Sequence, residues 1–74
     1  MIAIVQPEIT IDINGEEQTI PHLDSLKDLI SYLGIGMENV AVELNRTIIR
    51  RKDWDKTAVR DHDRLEIVRF VGGG

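Results

Sequence analysis

Ile9, Ile11 and Ile13 alternate with Thr10 and Asp12, a spacing of two that buries one face of a strand. From Ser25 the spacing lengthens: Leu26, Leu29, Ile30 and Leu33 fall at i, i+3, i+4 and i+7, one stripe along a helix. After Val40 the apolar residues are again those of short strands. A lone helical stripe set among strands that each have one apolar face leaves few arrangements, because neither kind of element can hide its apolar side alone. The pattern predicts an α+β fold, a mixed sheet of four to five strands with one main helix packed on one face.

Local signals place the joints. Asn14-Gly15 suits a tight type I′ turn, which needs φ > 0 at both central positions, and the return strand is Glu16 to Ile20. Ser25 and Asp28 suit a helix cap, with Asp24 as the competing N-cap. Gly34 supplies the left-handed residue that stops the helix after Leu33. Val40 to Leu44 forms the third strand, Asn45-Arg46 turns into the short strand Thr47 to Ile49, and Arg64 to Val71 is the last strand. Between them, Asp53 is placed as the cap of a single helical turn through Trp54, and Asp61-His62-Asp63 as a turn. No internal repeat or linker interrupts the pattern, so residues 9–71 read as one domain, preceded by an extension, residues 1–8, and followed by a flexible tail, residues 72–74.

Size and charge narrow the function. A chain of 74 residues and 8.4 kDa buries only about 62% of its unfolded surface, which leaves little room for a deep pocket. The sequence has no cysteine, which excludes a disulfide framework, a thiolate metal site and a thiol nucleophile. The formal charge of −4 argues against a nucleic-acid backbone as the main partner, since that contact rewards clustered Lys and Arg. No apolar run reaches the roughly 18–20 residues that span a bilayer, and Met1 to Val5 lacks a basic leader and a cleavage site. A cytoplasmic protein with no membrane contact, monomeric when free, is expected.

Conventional catalytic equipment is sparse. His22 and His62 lie forty residues apart with no ligand cluster or nucleophile beside either, so both read as exposed loop residues and no metal is expected. Glu16-Glu17 and Asp61/Asp63 read as turn and surface carboxylates, not as an acid–base pair. Arg50-Arg51-Lys52, close to Trp54, reads as a solvated run, with docking of an acidic partner or a phosphate as the alternative.

The chain's other distinctive feature is its close: a strand that runs directly into Gly72-Gly73-Gly74. Without Cβ atoms such a tail can thread a narrow channel of another protein, and three residues reach about 10 Å beyond the sheet. A terminal carboxylate is ionised at neutral pH and inert until activated. Activation by ATP would give an acyl-adenylate open to attack by a sulfur donor or an amine. The chain has no Gly-Lys-Ser/Thr phosphate loop, so adenylation falls to a partner enzyme. A frayed end is the plain alternative.

Val40-Ala-Val-Glu-Leu-Asn45, Ile48-Ile49 followed by the charged segment with Trp54, Asp61-His62-Asp63, and Leu65-Glu-Ile-Val-Arg-Phe-Val-Gly-Gly-Gly74 together resemble the bacterial ThiS family of thiamine-pathway sulfur carriers, over roughly Ile9 to Gly74. The resemblance implies a ubiquitin-like β-grasp fold and a protein co-substrate instead of an enzyme. It implies that Gly74 carries sulfur as a thiocarboxylate, with Gly73 as the penultimate glycine and Gly72 as a spacer. It further implies an E1-like adenylyltransferase that uses ATP, a sulfur donor system and thiazole synthase as partners, with no cofactor bound to the carrier itself. His62 departs from the family, which commonly has glycine in that turn. Rival readings with the same tail are the small subunit of molybdopterin synthase and a ubiquitin-like modifier; a non-covalent binding module is the rival of another class.

Partner contact is expected on the face of the sheet that the helix leaves bare. Val68 and Phe70 fall out of phase with Leu65 and Ile67, so they are the partner-binding candidates, with Phe70 in the core as the alternative.

Overall fold

The computed structural model describes residues 7–70. Its elements run β1 (Glu8–Ile13), β2 (Glu16–Pro21), α1 (Leu26–Tyr32), β3 (Val40–Leu44), β4 (Thr47–Ile49), a 3-10 helix η1 (Arg51–Lys56) and β5 (Arg64–Arg69). The five strands form one sheet in the order β2-β1-β5-β3-β4. The outer pairings are antiparallel hairpins, whereas β5 lies parallel to β1 and antiparallel to β3, so the last strand is the central one. A mixed sheet with one helix laid across it is the expected β-grasp arrangement.

Two turns have the backbone that the hairpins require. Asn14 and Gly15 have φ of 52 and 85°, and Asn45 and Arg46 have φ of 50 and 70°, so the central residues of both turns are left-handed, which matches the twist of the flanking strands. Ser25, not Asp24, caps α1: its Oγ accepts from the Asp28 N–H at 3.1 Å. Gly34, at φ 73°, follows the C-cap Leu33 and ends the helix as expected.

Several boundaries differ from the sequence reading, and β2 runs one residue further, to Pro21. Glu8, grouped with the N-terminal extension, already opens β1 and pairs with Pro21. Asp53 does not cap the helical turn; η1 begins at Arg51, and the Asp53 N–H already donates to the Arg50 carbonyl, which places Asp53 inside the first turn. The last strand is described to Arg69, and Val71 lies outside the described residues.

The core fills the space between sheet and helix. Ile9, Ile11 and Ile13 of β1, Ile20 of β2, Val42 and Leu44 of β3 and Leu65 of β5 meet Leu26, Leu29 and Ile30 of α1. Trp54 from η1 and Val59 close one side of it. Trp54 is buried, and its indole N–H donates to the Ile49 carbonyl at 2.9 Å, so the ring's polar edge is satisfied inside the core. That anchor explains why six residues hold a 3-10 helix, a conformation seldom kept so long.

Candidate functional site

Strand β5 leads toward the glycine tail, and several contacts fix its course. At its start the Asn45 side chain accepts from the Arg64 N–H at 2.9 Å, while the Asn45 N–H donates to the Arg64 carbonyl at 2.8 Å. The Asn45 amide also donates to Asp63 Oδ1, and Asp63 Oδ2 accepts from the Arg60 N–H. On the other side, Asp12 N–H donates to the Asp63 carbonyl and Asn14 N–H to the Leu65 carbonyl, continuing the parallel ladder.

There β1 ends, but β5 continues, and the Asn14 side chain takes over the ladder. Its Oδ1 accepts from the Ile67 N–H at 2.7 Å and its Nδ2 donates to the Ile67 carbonyl at 3.2 Å, as a further strand residue would. Beyond the strand, Phe70 N–H donates to the Asn39 carbonyl at 2.9 Å. The chain is therefore aimed up to its last described residue. Gly72, Gly73 and Gly74 lie outside the described residues.

Around this exit the bare face of the sheet carries an apolar patch. Val68 is 55% exposed, Phe70 50% and Ile48 on the edge strand 70%. Ala41 lies opposite Val68 in the register and is also exposed, and Asn39, whose carbonyl holds Phe70, continues the same row. Phe70 is thus on the surface, not in the core. Toward the other end of the face Glu43 stands opposite Glu66 and Ile48, and Asp12 opposite Glu17. Like charges set directly across a ladder repel. A shallow hollow there is lined by Glu43, Arg46, Arg64 and Glu66, so two arginines flank the glutamate pair. The face combines an apolar patch with a band of mixed charge, in which Glu43 and Glu66 are flanked by Arg46 and Arg64.

The remaining candidates stay apart. His22 is exposed on the connection after β2, and His62 is exposed in the turn before β5 with Nε2 3.1 Å from Asp61 Oδ2. Glu16 and Glu17 are exposed on β2. Asp61 and Asp63 bind backbone: Asp61 Oδ1 accepts from the Thr10 N–H at 2.6 Å, and the His62 N–H donates to the Thr10 carbonyl. Among the described residues, no group of three or more His, Cys, Asp and Glu is arranged to hold a metal ion. Among the same residues, no helix is long and apolar enough to cross a membrane. Arg50, Arg51 and Lys52 are exposed, as the solvated reading expects, while Trp54 beside them is turned into the core.

Sequence reasoning missed the strand-extending role of Asn14 and the part of Asn45 in starting β5. An asparagine in a left-handed turn was legible at both positions; the contact with β5 depends on a pairing more than fifty residues away for Asn14 and about nineteen for Asn45.

Comparison with known proteins bears on the same elements. The sequence pattern of the ThiS family matches residues 8–74. The chain is 35% identical over 71 residues to an uncharacterised protein, ycf40, of Porphyra purpurea, covering 96% of this chain and 100% of that one. It is 42% identical over 62 residues to a thiazole synthase of Paramagnetospirillum magneticum, covering 84% of this chain but only 19% of the relative. The crystal structure of the thiamine biosynthesis protein ThiS from Geobacter metallireducens superposes with a TM-score of 0.76 at 35% identity, over 89% of this chain and all of that one.

Proposed function

This chain belongs to the ThiS family, and we propose that it is a sulfur carrier of thiamine biosynthesis, a protein co-substrate that is acted on and does not itself catalyse. The observation that carries the reading is the family match, which runs from β1 through Gly74 on a fold whose central strand leads into the tail. In this reading the Gly74 carboxylate attacks the α-phosphorus of ATP on an E1-like adenylyltransferase. Pyrophosphate leaves, and the product is an acyl-adenylate. Hydrosulfide delivered by a donor system then attacks the acyl carbon, AMP leaves, and loss of the thiol proton yields the thiocarboxylate. Thiazole synthase receives that sulfur.

The protein's own contribution is presentation. Asn45, Asn14 and Asn39 hold β5 and its exit, Gly72 and Gly73 give a tail slim enough for a partner's channel, and Val68 and Phe70 dock the partner beside it. The mixed charge beside the patch, Glu43 and Glu66 with Arg46 and Arg64, suits a partner with an apolar centre and a complementary polar rim. The thiazole synthase relative, which contains a segment resembling this chain, favours the thiamine pathway over the molybdopterin one. A cytoplasmic location and a free monomer accompany this reading.

The test is intact mass spectrometry after incubation with an E1-like adenylating enzyme, ATP and a sulfur source. A gain equal to the exchange of one oxygen for sulfur, localised to Gly74, is expected. Deletion of Gly73 and Gly74 should abolish the gain without changing thermal stability, since a glycine end buries little. An unchanged mass with an enzyme that loads another carrier would overturn the reading in favour of a non-covalent binding module.

A further inference from the structure

We infer that the hollow between α1 and η1 is a second docking surface, and that its occupant is an acidic segment of a partner protein. The hollow, of about 380 Å³, is lined by Lys27 of α1, Met37 of the following loop, and Arg51, Lys52, Trp54 and Asp55 of η1. Its lining residues carry three cations and one carboxylate, a balance of +2 on a chain whose formal charge is −4. The side chains of Lys27, Arg51 and Lys52 are exposed, and among the described residues none of them forms an ion pair within the protein. Their charge is available to another molecule.

The chemistry of the lining distinguishes possible occupants. No buried side-chain donor among the described residues lacks a partner, so the floor holds nothing set for a single oxyanion. The positive charge sits instead on long side chains spread over two elements, which suits a run of carboxylates along a peptide, with the half-buried Met37 for its apolar atoms and the buried Trp54 beneath as a rigid floor. The hollow is on the side of the sheet that the helix covers, so it can be occupied while the bare face is engaged. Met37 and Asn39 lie on one loop, and Asn39 holds Phe70, so an occupant would rest on the segment that also fixes the exit of β5. The inference stands on this charge arrangement and does not depend on the carrier chemistry.

Titration of the ¹⁵N-labelled full chain with an eight-residue oligoglutamate peptide tests it by amide shifts. Shifts centred on Lys27, Met37 and Arg51 to Asp55 are expected, and they should weaken as salt is raised from about 20 to about 200 mM. The combined variant Lys27→Gln, Arg51→Gln and Lys52→Gln should keep the dispersed spectrum of the folded protein and bind the peptide at least about tenfold more weakly. Shifts centred on Arg60, Arg64 or Arg69, or unchanged affinity in the variant, would overturn the inference. So would inorganic tripolyphosphate that moves the same resonances at lower concentration than the peptide, since the occupant would then be a small phosphate anion.

Discussion

On β5, Leu65 is fully buried and Ile67 packs against the core, whereas Val68 and Phe70, in the opposite phase, are each at least half exposed. The same division runs through β3, where Val42 and Leu44 are buried while Ala41 is exposed. One face of the sheet is closed by α1 and Trp54; the other bears an apolar patch beside a band of mixed charge. The difference teaches what each face is for. The chain has a helix to cover one face and leaves large apolar side chains on the other, beside the exit of its central strand. In the proposed reading that patch is where the partner docks.

The sharpest way to break this division is to exchange the roles of the two faces by mutation. Trp54→Ala empties the largest side chain of the closed face and leaves the Ile49 carbonyl without its donor, so a loss of about 3–5 kcal/mol is expected. That is a large part of the stability of any small domain, and a thermal melt by circular dichroism should show a strongly lowered or vanished transition. A melt close to that of the parent would mean that the closed face does not hold the fold together.

Phe70→Asp is the matching change on the bare face. Its expected cost is in binding: at least about a tenfold loss of affinity for the adenylating enzyme, as for a central aromatic contact, with the melting temperature nearly unchanged. Cooperative unfolding lost in this variant would place Phe70 in the core and remove the distinction between the faces.

Most of the architecture was legible because it rests on local periodicity. The switch from Ile9, Ile11, Ile13 to Leu26, Leu29, Ile30 locates β1 and α1, and the turns at Asn14-Gly15 and Asn45-Arg46 fall where left-handed residues were needed. The phase of Val68 and Phe70 was readable for the same reason: alternation gives the face once Leu65 is inside. What escaped depends on partners distant in sequence. Asp53 reads as a cap by composition, yet burial of Trp54 fixes η1 from Arg51 onward. Asn14 and Asn45 read only as turn residues, because the strand they hold arrives from the far end of the chain.

Those two asparagines hold the backbone of β5, and a pair of substitutions at Asn45 measures how firmly its start is held. Asn45→Gly keeps the left-handed backbone at φ 50° and removes the side-chain contacts to Arg64 and Asp63; a loss of about 1–2 kcal/mol in urea unfolding is expected. Asn45→Ala should cost about 1 kcal/mol more, since alanine must also hold a left-handed conformation. Equal losses in the two variants would show that the backbone at Asn45 relaxes and that its side chain alone secures the start of β5.

The smallest effect is expected at His62, which stands at φ 70° in the turn that leads into β5. Histidine in the left-handed region carries a steric cost that glycine avoids, but glycine gains more freedom in the unfolded chain, by about 0.5–1 kcal/mol, and these nearly cancel. The contact with Asp61 contributes little, since the His62 side chain is 82% exposed and the pair is open to water. His62→Gly should therefore stabilise the domain by no more than about 0.5 kcal/mol, a rise of about 2–4 °C in Tm. A fall of several degrees would give the residue another role. Asp61 Oδ2 faces His62 while Oδ1 accepts the Thr10 N–H, so a loss of stability would mean that His62 holds this carboxylate against β1 and helps to fix the parallel pairing of β1 with β5.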